Sequence, residues 1–130
     1  MNTRKIQCHC GGLWAECRGE PVRISVCHCL ACKARTGAAF AYTATFMADA
    51  VTTDGAPSVY ERRSDEGFWA REYFCPHCGT KLWYEIERRP GMISIPAGAF
   101  ADPKFPPPTV EVYTNRRQIW LAALPGVEQN

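Results

Sequence analysis

A chain of 130 residues with a mass of 14.5 kDa has room for one hydrophobic core, so we predict a single domain over residues 1–130. The 15 lysines and arginines nearly balance the 13 aspartates and glutamates, and the formal net charge of +2 is too small to predict a nucleic-acid-binding protein. Hydrophobic residues make up 46% of the chain and charged residues 22%, a balance that excludes a disordered protein.

The N-terminal segment does not predict export. Its charges, Arg4 and Lys5, are followed by Ile6, Gln7 and Cys8 rather than by the apolar stretch of a secretory signal. An apolar stretch at 38–48 is interrupted by threonines and falls short of the about 20 residues that cross a bilayer. We therefore expect a cytoplasmic protein without a membrane span, in which the cysteines stay reduced.

Short runs of alternating apolar and polar residues that end at Gly, Pro or Asp predict β-strands. In chain order the predicted strands are 13–17, 22–27, 40–46, 59–62, 68–74, 82–86, 92–95 and 110–113. Residues 29–36 favour a helix of about two turns, which Gly37 would end in the left-handed conformation. The prolines within 103–108 predict an extended connector. The pattern predicts an all-β fold of mainly antiparallel short strands with one short helix.

Seven of the eight cysteines lie in clusters, and their spacing is typical of zinc sites. The clusters are Cys8-x-Cys10, Cys27-x-Cys29-x-x-Cys32 and Cys75-x-x-Cys78. Zinc prefers a tetrahedron of soft ligands, and two close pairs on separate segments provide one readily. The first and last clusters together predict a closed, structural zinc site that joins the N-terminal segment to the middle of the chain. Two disulfides, or reduced cysteines in a core, are the alternatives.

The middle cluster leaves only Cys27, Cys29 and Cys32, which is one ligand fewer than zinc prefers. An open position predicts a chemical site. A thiol that binds there from outside would be held as a thiolate, ready to react with an electrophile. Alternatively, Cys17 or a histidine fills the fourth position and makes a second structural site.

The three histidines all lie between clustered cysteines. In an extended C-x-C segment the middle side chain points away from the atom that its neighbours bind, so we expect His9, His28 and His77 to lie beside the metals rather than on them. His28 is the one candidate for a proton relay at the open site.

Three segments carry a resemblance to a known family: Cys8-x-Cys10-Gly11, Cys27-His28-Cys29-x-x-Cys32-x-x-x-Thr36-Gly37 and Phe74-Cys75-Pro76-x-Cys78-Gly79-Thr80. Together they resemble the glutathione-dependent formaldehyde-activating enzymes, which include centromere protein V relatives, and the likeness runs from about Cys8 to Trp120. It implies a zinc-dependent β-tent fold with two zinc ions per chain. The implied structural zinc is on Cys8, Cys10, Cys75 and Cys78, and the implied catalytic zinc is on Cys27, Cys29 and Cys32.

The resemblance also implies an activity: condensation of glutathione, or a similar small thiol, with formaldehyde to S-hydroxymethylglutathione, which is a carbon-sulfur lyase reaction in reverse. Because glutathione is anionic, we expect cationic and polar groups beside the open site. The candidate substrate-binding residues are Lys33, Arg35, Thr36, Gly37 and Phe40. Surface solubility is the alternative explanation of the charged ones.

Other functions remain open at this point. A non-catalytic glutathione carrier, or a zinc-binding interaction module whose second site is structural, has the same cysteine pattern. The second zinc would be the labile one, because a three-thiolate site with access to solvent is open to oxidation. Arg116, Arg117 and Trp120 either close the cleft or contact a second copy in a homodimer.

Overall fold

The computed structural model describes residues 2–64 and 66–130. In this part of the chain there are eleven β-strands, one α-helix and three short 3₁₀ helices. The strands are β1 (Thr3–Gln7), β2 (Trp14–Arg18), β3 (Arg23–Cys27), β4 (Ala41–Met47), β5 (Val51–Asp54), β6 (Ser58–Arg63), β7 (Trp69–Phe74), β8 (Lys81–Ile86), β9 (Met92–Pro96), β10 (Val110–Val112) and β11 (Glu128–Gln129). The α-helix, α1, is Leu30–Thr36, and the 3₁₀ helices are Ala48–Ala50, Ala97–Phe100 and Thr114–Arg116.

The strands form two sheets. One is a three-stranded antiparallel sheet with β2 between β1 and β5. The other has eight strands in the order β11-β10-β3-β4-β9-β8-β7-β6, and it is antiparallel except where β10 runs parallel to β3 and to β11. The predicted all-β fold with mainly antiparallel short strands and one short helix is therefore confirmed for the described residues.

All eight predicted strands are present, with ends within about one residue of the prediction. The alternation of side chains did not predict β1, β5 and β11. These strands bury too few residues to show an alternating pattern, because Ile6 is the one buried residue of β1, and β5 and β11 bury none. These three strands exist because their backbones pair with β2 and β10, which a pattern of apolar residues does not report.

Side chains from both sheets pack into one hydrophobic cluster, so the core lies between the sheets. The small sheet and the loop that leads into β2 contribute Ile6 and Leu13, and the large sheet contributes Phe46, Leu82 and Ile95. Each of these five side chains is less than 2% exposed. Full burial of such a side chain contributes roughly 1.5–3 kcal/mol relative to exposure.

The proline-rich segment 103–108 forms neither helix nor strand, as predicted. It is held to the sheets by Phe105, which stacks on Phe100 with ring centroids 4.5 Å apart. The hydroxyl of Tyr42 on β4 donates a 2.6 Å hydrogen bond to the carbonyl of Pro106. These contacts fix the side chain of Tyr42, which lines the cavity described below.

Helix α1 is the element that presents the middle cysteine cluster. Cys29 is its N-cap, with extended backbone (φ −63°, ψ 152°), and its sulfur accepts a 3.3 Å hydrogen bond from the Cys32 amide. Gly37 ends the helix with φ +66°, and its amide donates to the Lys33 carbonyl at 2.8 Å. The predicted helix and its glycine stop are confirmed. Among the described helices, none has the length and apolar character needed to cross a membrane.

Candidate functional site

Four sulfur atoms from two distant turns meet at the edge of the core. Cys8 and Cys10 lie between β1 and β2, and Cys75 and Cys78 lie between β7 and β8. All four Sγ atoms lie within 4.8 Å of one another, and Cys10 Sγ is 3.6 Å from both Cys8 Sγ and Cys75 Sγ. Four sulfurs around a zinc ion with bonds of about 2.3 Å are separated by about 3.8 Å, so this donor set fits zinc.

The two turns that carry these sulfurs are shaped to stabilise thiolates. Backbone amides donate to them, from Leu13 to Cys8 Sγ at 3.3 Å and from His77 to Cys75 Sγ at 3.4 Å. The Thr80 hydroxyl lies 3.2 Å from Cys78 Sγ and is the main reason that the pKa of the Cys78 thiol falls to about 5. A hydrogen-bonded thiolate is the form in which cysteine binds a metal.

The second cluster is local in sequence and lies at the end of β3. Cys27 is the last residue of this strand, Cys29 caps α1 and Cys32 lies in its first turn. Their three Sγ atoms lie within 4.8 Å of one another, and all three residues are half-buried. Among residues 2–64 and 66–130, no fourth cysteine, histidine or carboxylate completes the group.

One thiol of this cluster is strongly acidic. The hydrogen bond from the Cys27 thiol, with smaller contributions from Cys29 and Arg35, outweighs burial and lowers the pKa of Cys32 to about 5. The same hydrogen bond, together with burial, raises the pKa of Cys27. Arg35 Nη2 donates to Cys32 Sγ at 3.7 Å. The cluster therefore offers three sulfur donors, one of them acidic, with one position left for a ligand from outside, which fits a three-thiolate zinc site.

A buried carboxylate holds the arginine that contacts Cys32. Glu72 on β7 has a side chain only 3% exposed, and it accepts from Arg35 Nη1 at 2.9 Å. It also accepts from Arg62 Nε at 3.1 Å and from Lys81 Nζ at 3.5 Å. Arg35 in addition lies over the ring of Tyr84, 5.2 Å from its centroid. The guanidinium is thus fixed between Glu72 and the cysteine cluster.

A cavity of about 210 Å³ adjoins this guanidinium. Its walls include Arg35, Phe40, Tyr42, Tyr84, Pro96 and Gly98. Ala41, another lining residue, is the register partner of Cys27 across β3 and β4, so the cavity lies next to the cluster. Two of the lining residues, Thr43 and Tyr84, have hydroxyl groups that are 2.9 Å apart and hydrogen-bonded to each other.

The five candidate substrate-binding residues are divided by the structure. Arg35, Thr36 and Phe40 line the cavity. Lys33 instead donates to the Gln118 side chain at 2.5 Å and to the Arg116 carbonyl, so its ammonium group is directed to the C-terminal segment. Gly37 does not line the cavity and serves as the helix cap.

The sequence suggested His28 as a proton relay at the open site. In the structure His28 lies in a buried pair with a carboxylate. Its side chain is completely buried, and Nε2 lies 2.7 Å from Glu111 Oε1. Glu111 also accepts from the Leu124 amide at 2.8 Å and from Gln129 Nε2 at 2.7 Å. Burial opposes the ionisation of Glu111, but these hydrogen bonds outweigh it and lower its pKa to about 2. The pair anchors the C-terminal segment beside the cysteine loop.

The other three residues considered as a fourth ligand lie elsewhere. Cys17 is completely buried in the hydrophobic core on β2 and belongs to neither cluster. His9 and His77 are exposed and also belong to neither. None of the described residues closes the second site as a fourth ligand.

Sequence reasoning missed Glu72, Tyr84 and Glu111. Glu72 had a detectable signal, because it shares a strand face with Ala70 where the alternation of β7 predicts a buried residue. A charged residue at a buried position needs partners. The partners themselves come from α1, β6 and β8, and nothing in the local sequence predicts them.

Comparison with known proteins agrees with the resemblance in the cysteine motifs. The model of the family described as glutathione-dependent formaldehyde-activating enzyme matches residues 3–116. A crystal structure of a Rhodobacter sphaeroides protein from a structural genomics programme has a similar fold, with a TM-score of 0.58 and 21% sequence identity over 79% of this chain and 91% of that chain. No curated protein matches the sequence. The family match covers most of the chain, and the chain belongs to the glutathione-dependent formaldehyde-activating enzyme family.

Proposed function

We propose that the protein is a zinc-dependent carbon-sulfur lyase that condenses glutathione with formaldehyde to S-hydroxymethylglutathione. The observation that carries this proposal is the three-cysteine cluster at Cys27, Cys29 and Cys32, which lacks a fourth ligand among the described residues and lies beside a cavity. The family match supports the pairing of glutathione with formaldehyde. We further propose that residues 1–130 form one domain of a cytoplasmic protein, where thiols stay reduced.

Two metal sites follow from the donor sets. Cys8, Cys10, Cys75 and Cys78 would hold a structural zinc, and the three-cysteine cluster would hold the reactive one. When bound there, the metal supplies a Lewis acid that lowers the pKa of an added thiol. The remaining work falls to the protein side chains around the cavity.

Those side chains would position the reactants. The reaction forms a bond between the thiol sulfur and the carbonyl carbon, and the thiol proton ends on the former carbonyl oxygen. Tyr84 is suited to donate a hydrogen bond to that oxygen, because burial raises its pKa and keeps its hydroxyl protonated. Arg35 is held by Glu72 next to Cys32, where its charge stabilises a thiolate. Holding both reactants together supplies most of the rate gain.

Exchange spectroscopy by NMR tests the proposal directly. The rate of interconversion between free glutathione and its formaldehyde adduct is measured with and without a catalytic amount of zinc-loaded protein. We expect faster exchange with the wild type and none above background with Cys29→Ser. An unchanged rate with the wild type would exclude the enzyme. Glutathione binding without faster exchange would then indicate a carrier, and a single zinc indifferent to glutathione would indicate an interaction module.

A further inference from the structure

The cavity next to the three-cysteine cluster is much larger than formaldehyde requires. Its volume is about 210 Å³. A water molecule in the liquid takes about 30 Å³, so a molecule with two heavy atoms takes roughly 60 Å³. Pockets that enclose drug-sized ligands start at roughly 300 Å³, so the cavity is too small for a whole glutathione molecule. The space fits formaldehyde plus several further heavy atoms.

The walls select an uncharged, apolar occupant. Phe40, Tyr42 and Pro96 present ring surfaces, and Ala41 and Gly98 leave the space between them open. Arg35 is the one charged residue among those that line the cavity, and its two terminal nitrogens already donate to Glu72 at 2.9 Å and to Cys32 Sγ at 3.7 Å. A carboxylate of glutathione would therefore find no terminal guanidinium nitrogen free for a paired contact here.

Two polar groups in the cavity are suited to a carbonyl oxygen. They are the hydroxyls of Thr43 and Tyr84, and both residues line the cavity. The Tyr84 hydroxyl can accept from Thr43 at 2.9 Å and donate its own proton to a ligand. A bound carbonyl oxygen would accept that proton.

The cavity also lies beside the three-cysteine cluster, where the thiol chemistry would occur. Arg35 contacts Cys32 Sγ with one nitrogen, and Ala41 lies opposite Cys27 in the strand register. A carbonyl group held by the Tyr84 hydroxyl would thus lie close to the cluster, with its substituent in the apolar space.

We propose that this cavity binds an aldehyde larger than formaldehyde, with an uncharged apolar substituent of roughly four to six heavy atoms. This inference rests on the proposed function, because it assigns the carbonyl substrate of the same site. The thiol sulfur bonds to the aldehyde carbon, the π electrons of the carbonyl move to oxygen, and the thiol proton ends on that oxygen. The product is a substituted hemithioacetal, and no oxidant or reductant takes part.

Filling the cavity at Gly98 tests the assignment. Gly98 lines the cavity and a Cβ added there meets no atom within 4 Å, so Gly98→Leu places a bulky side chain at the cavity wall without a clash at its first carbon. Ala122→Leu adds the same side chain at an exposed position outside the cavity lining and is the matched control. If Gly98→Leu does not fold by circular dichroism, the smaller Gly98→Val replaces it.

Two measurements on the zinc-loaded protein are made. The first is the dissociation constant of benzyl alcohol, an unreactive analogue of benzaldehyde, by ligand-observed NMR. The second is the ratio of the rates of glutathione addition to benzaldehyde and to formaldehyde. We expect benzyl alcohol to bind the wild type and Ala122→Leu, with affinity lower by at least about tenfold in Gly98→Leu, since a filled pocket excludes the ring. The rate ratio should fall by a similar factor.

The outcomes separate this inference from the proposed function. No binding of benzyl alcohol to the wild type, or equal binding by Gly98→Leu, would overturn the cavity assignment even if formaldehyde exchange is accelerated. Binding that Gly98→Leu weakens would support the assignment even if neither aldehyde reacts, and that result would refute the enzyme instead.

Discussion

Removing the buried carboxylate of Glu72 should destabilise the protein strongly. Its side chain is 3% exposed and accepts from Arg35, Arg62 and Lys81 at 2.9, 3.1 and 3.5 Å. Glu72→Gln keeps the shape but leaves the Arg35 guanidinium, itself only 9% exposed, without its counter-charge. Loss of one partner from a buried ion pair costs about 3–5 kcal/mol. We expect a loss near the lower end, about 3 kcal/mol, because Arg62 and Lys81 are partly solvated.

Urea unfolding of the zinc-loaded proteins measures this loss, and a loss of about 3 kcal/mol in a domain of this size lowers Tm by about 10 °C. Glu61→Gln is the control. Glu61 pairs with Arg71 at 2.8 Å, but both side chains are more than 40% exposed, so the change should cost less than about 1 kcal/mol. Equal losses of unfolding free energy in Glu72→Gln and Glu61→Gln would refute the argument that a buried ion pair matters more for stability than an exposed one.

Three further predictions concern the metal sites, acid stability and one turn. Cys75→Ser should prevent folding, because a structural zinc contributes on the order of 10 kcal/mol, while Cys29→Ser should fold and lose one zinc. Metal analysis and thermal melts check both variants. Equal collapse of the two would make the second cluster structural too. Glu111→Gln should flatten the fall in stability below about pH 4.5. The lowered pKa of Glu111 stabilises the fold above that pH, and this stabilisation is lost as pH falls towards 2. Urea unfolding of both proteins at several pH values measures the difference, and a constant difference at all pH values would contradict the argument. Gly55→Ala should lower the free energy of unfolding in urea more than Gly67→Ala does. Both glycines have positive φ, but only at Gly55 does an added Cβ meet a backbone oxygen, at 2.4 Å. Equal losses would contradict the steric argument.

The sequence predicted those parts of the site that are local. The three-cysteine cluster is carried by one strand end and the first turn of a seven-residue helix, and spacing alone brings these thiols together. The helix stop at Gly37 followed from the need for a left-handed residue. Strands with alternating side chains were predicted for the same reason, because the period of two is a local property.

The residues that were missed act through contacts between distant segments. Glu111 binds His28 from 83 positions away, and Glu72 binds Arg35 from 37 positions away. In each case the sequence shows one charged residue on a strand and gives no indication of its partner. Lys33 shows a related effect, since the fold brings Gln118 to a lysine that the sequence places beside the cluster. Side-chain direction on a short helix depends on what packs against it.

The topology explains why the two clusters should differ in their effect on folding. Cys10 and Cys75 are 65 positions apart, and their sulfurs join the turn between β1 and β2 of the small sheet to the turn between β7 and β8 of the large one. A metal held by both turns would remove much conformational entropy from the unfolded chain and would hold the two sheets around the core. The second cluster closes a loop of only a few residues whose backbone is already fixed by the Cys29 cap and by strand pairing at Cys27. A metal bound there would therefore add little to the fold, and the site would be free to exchange ligands.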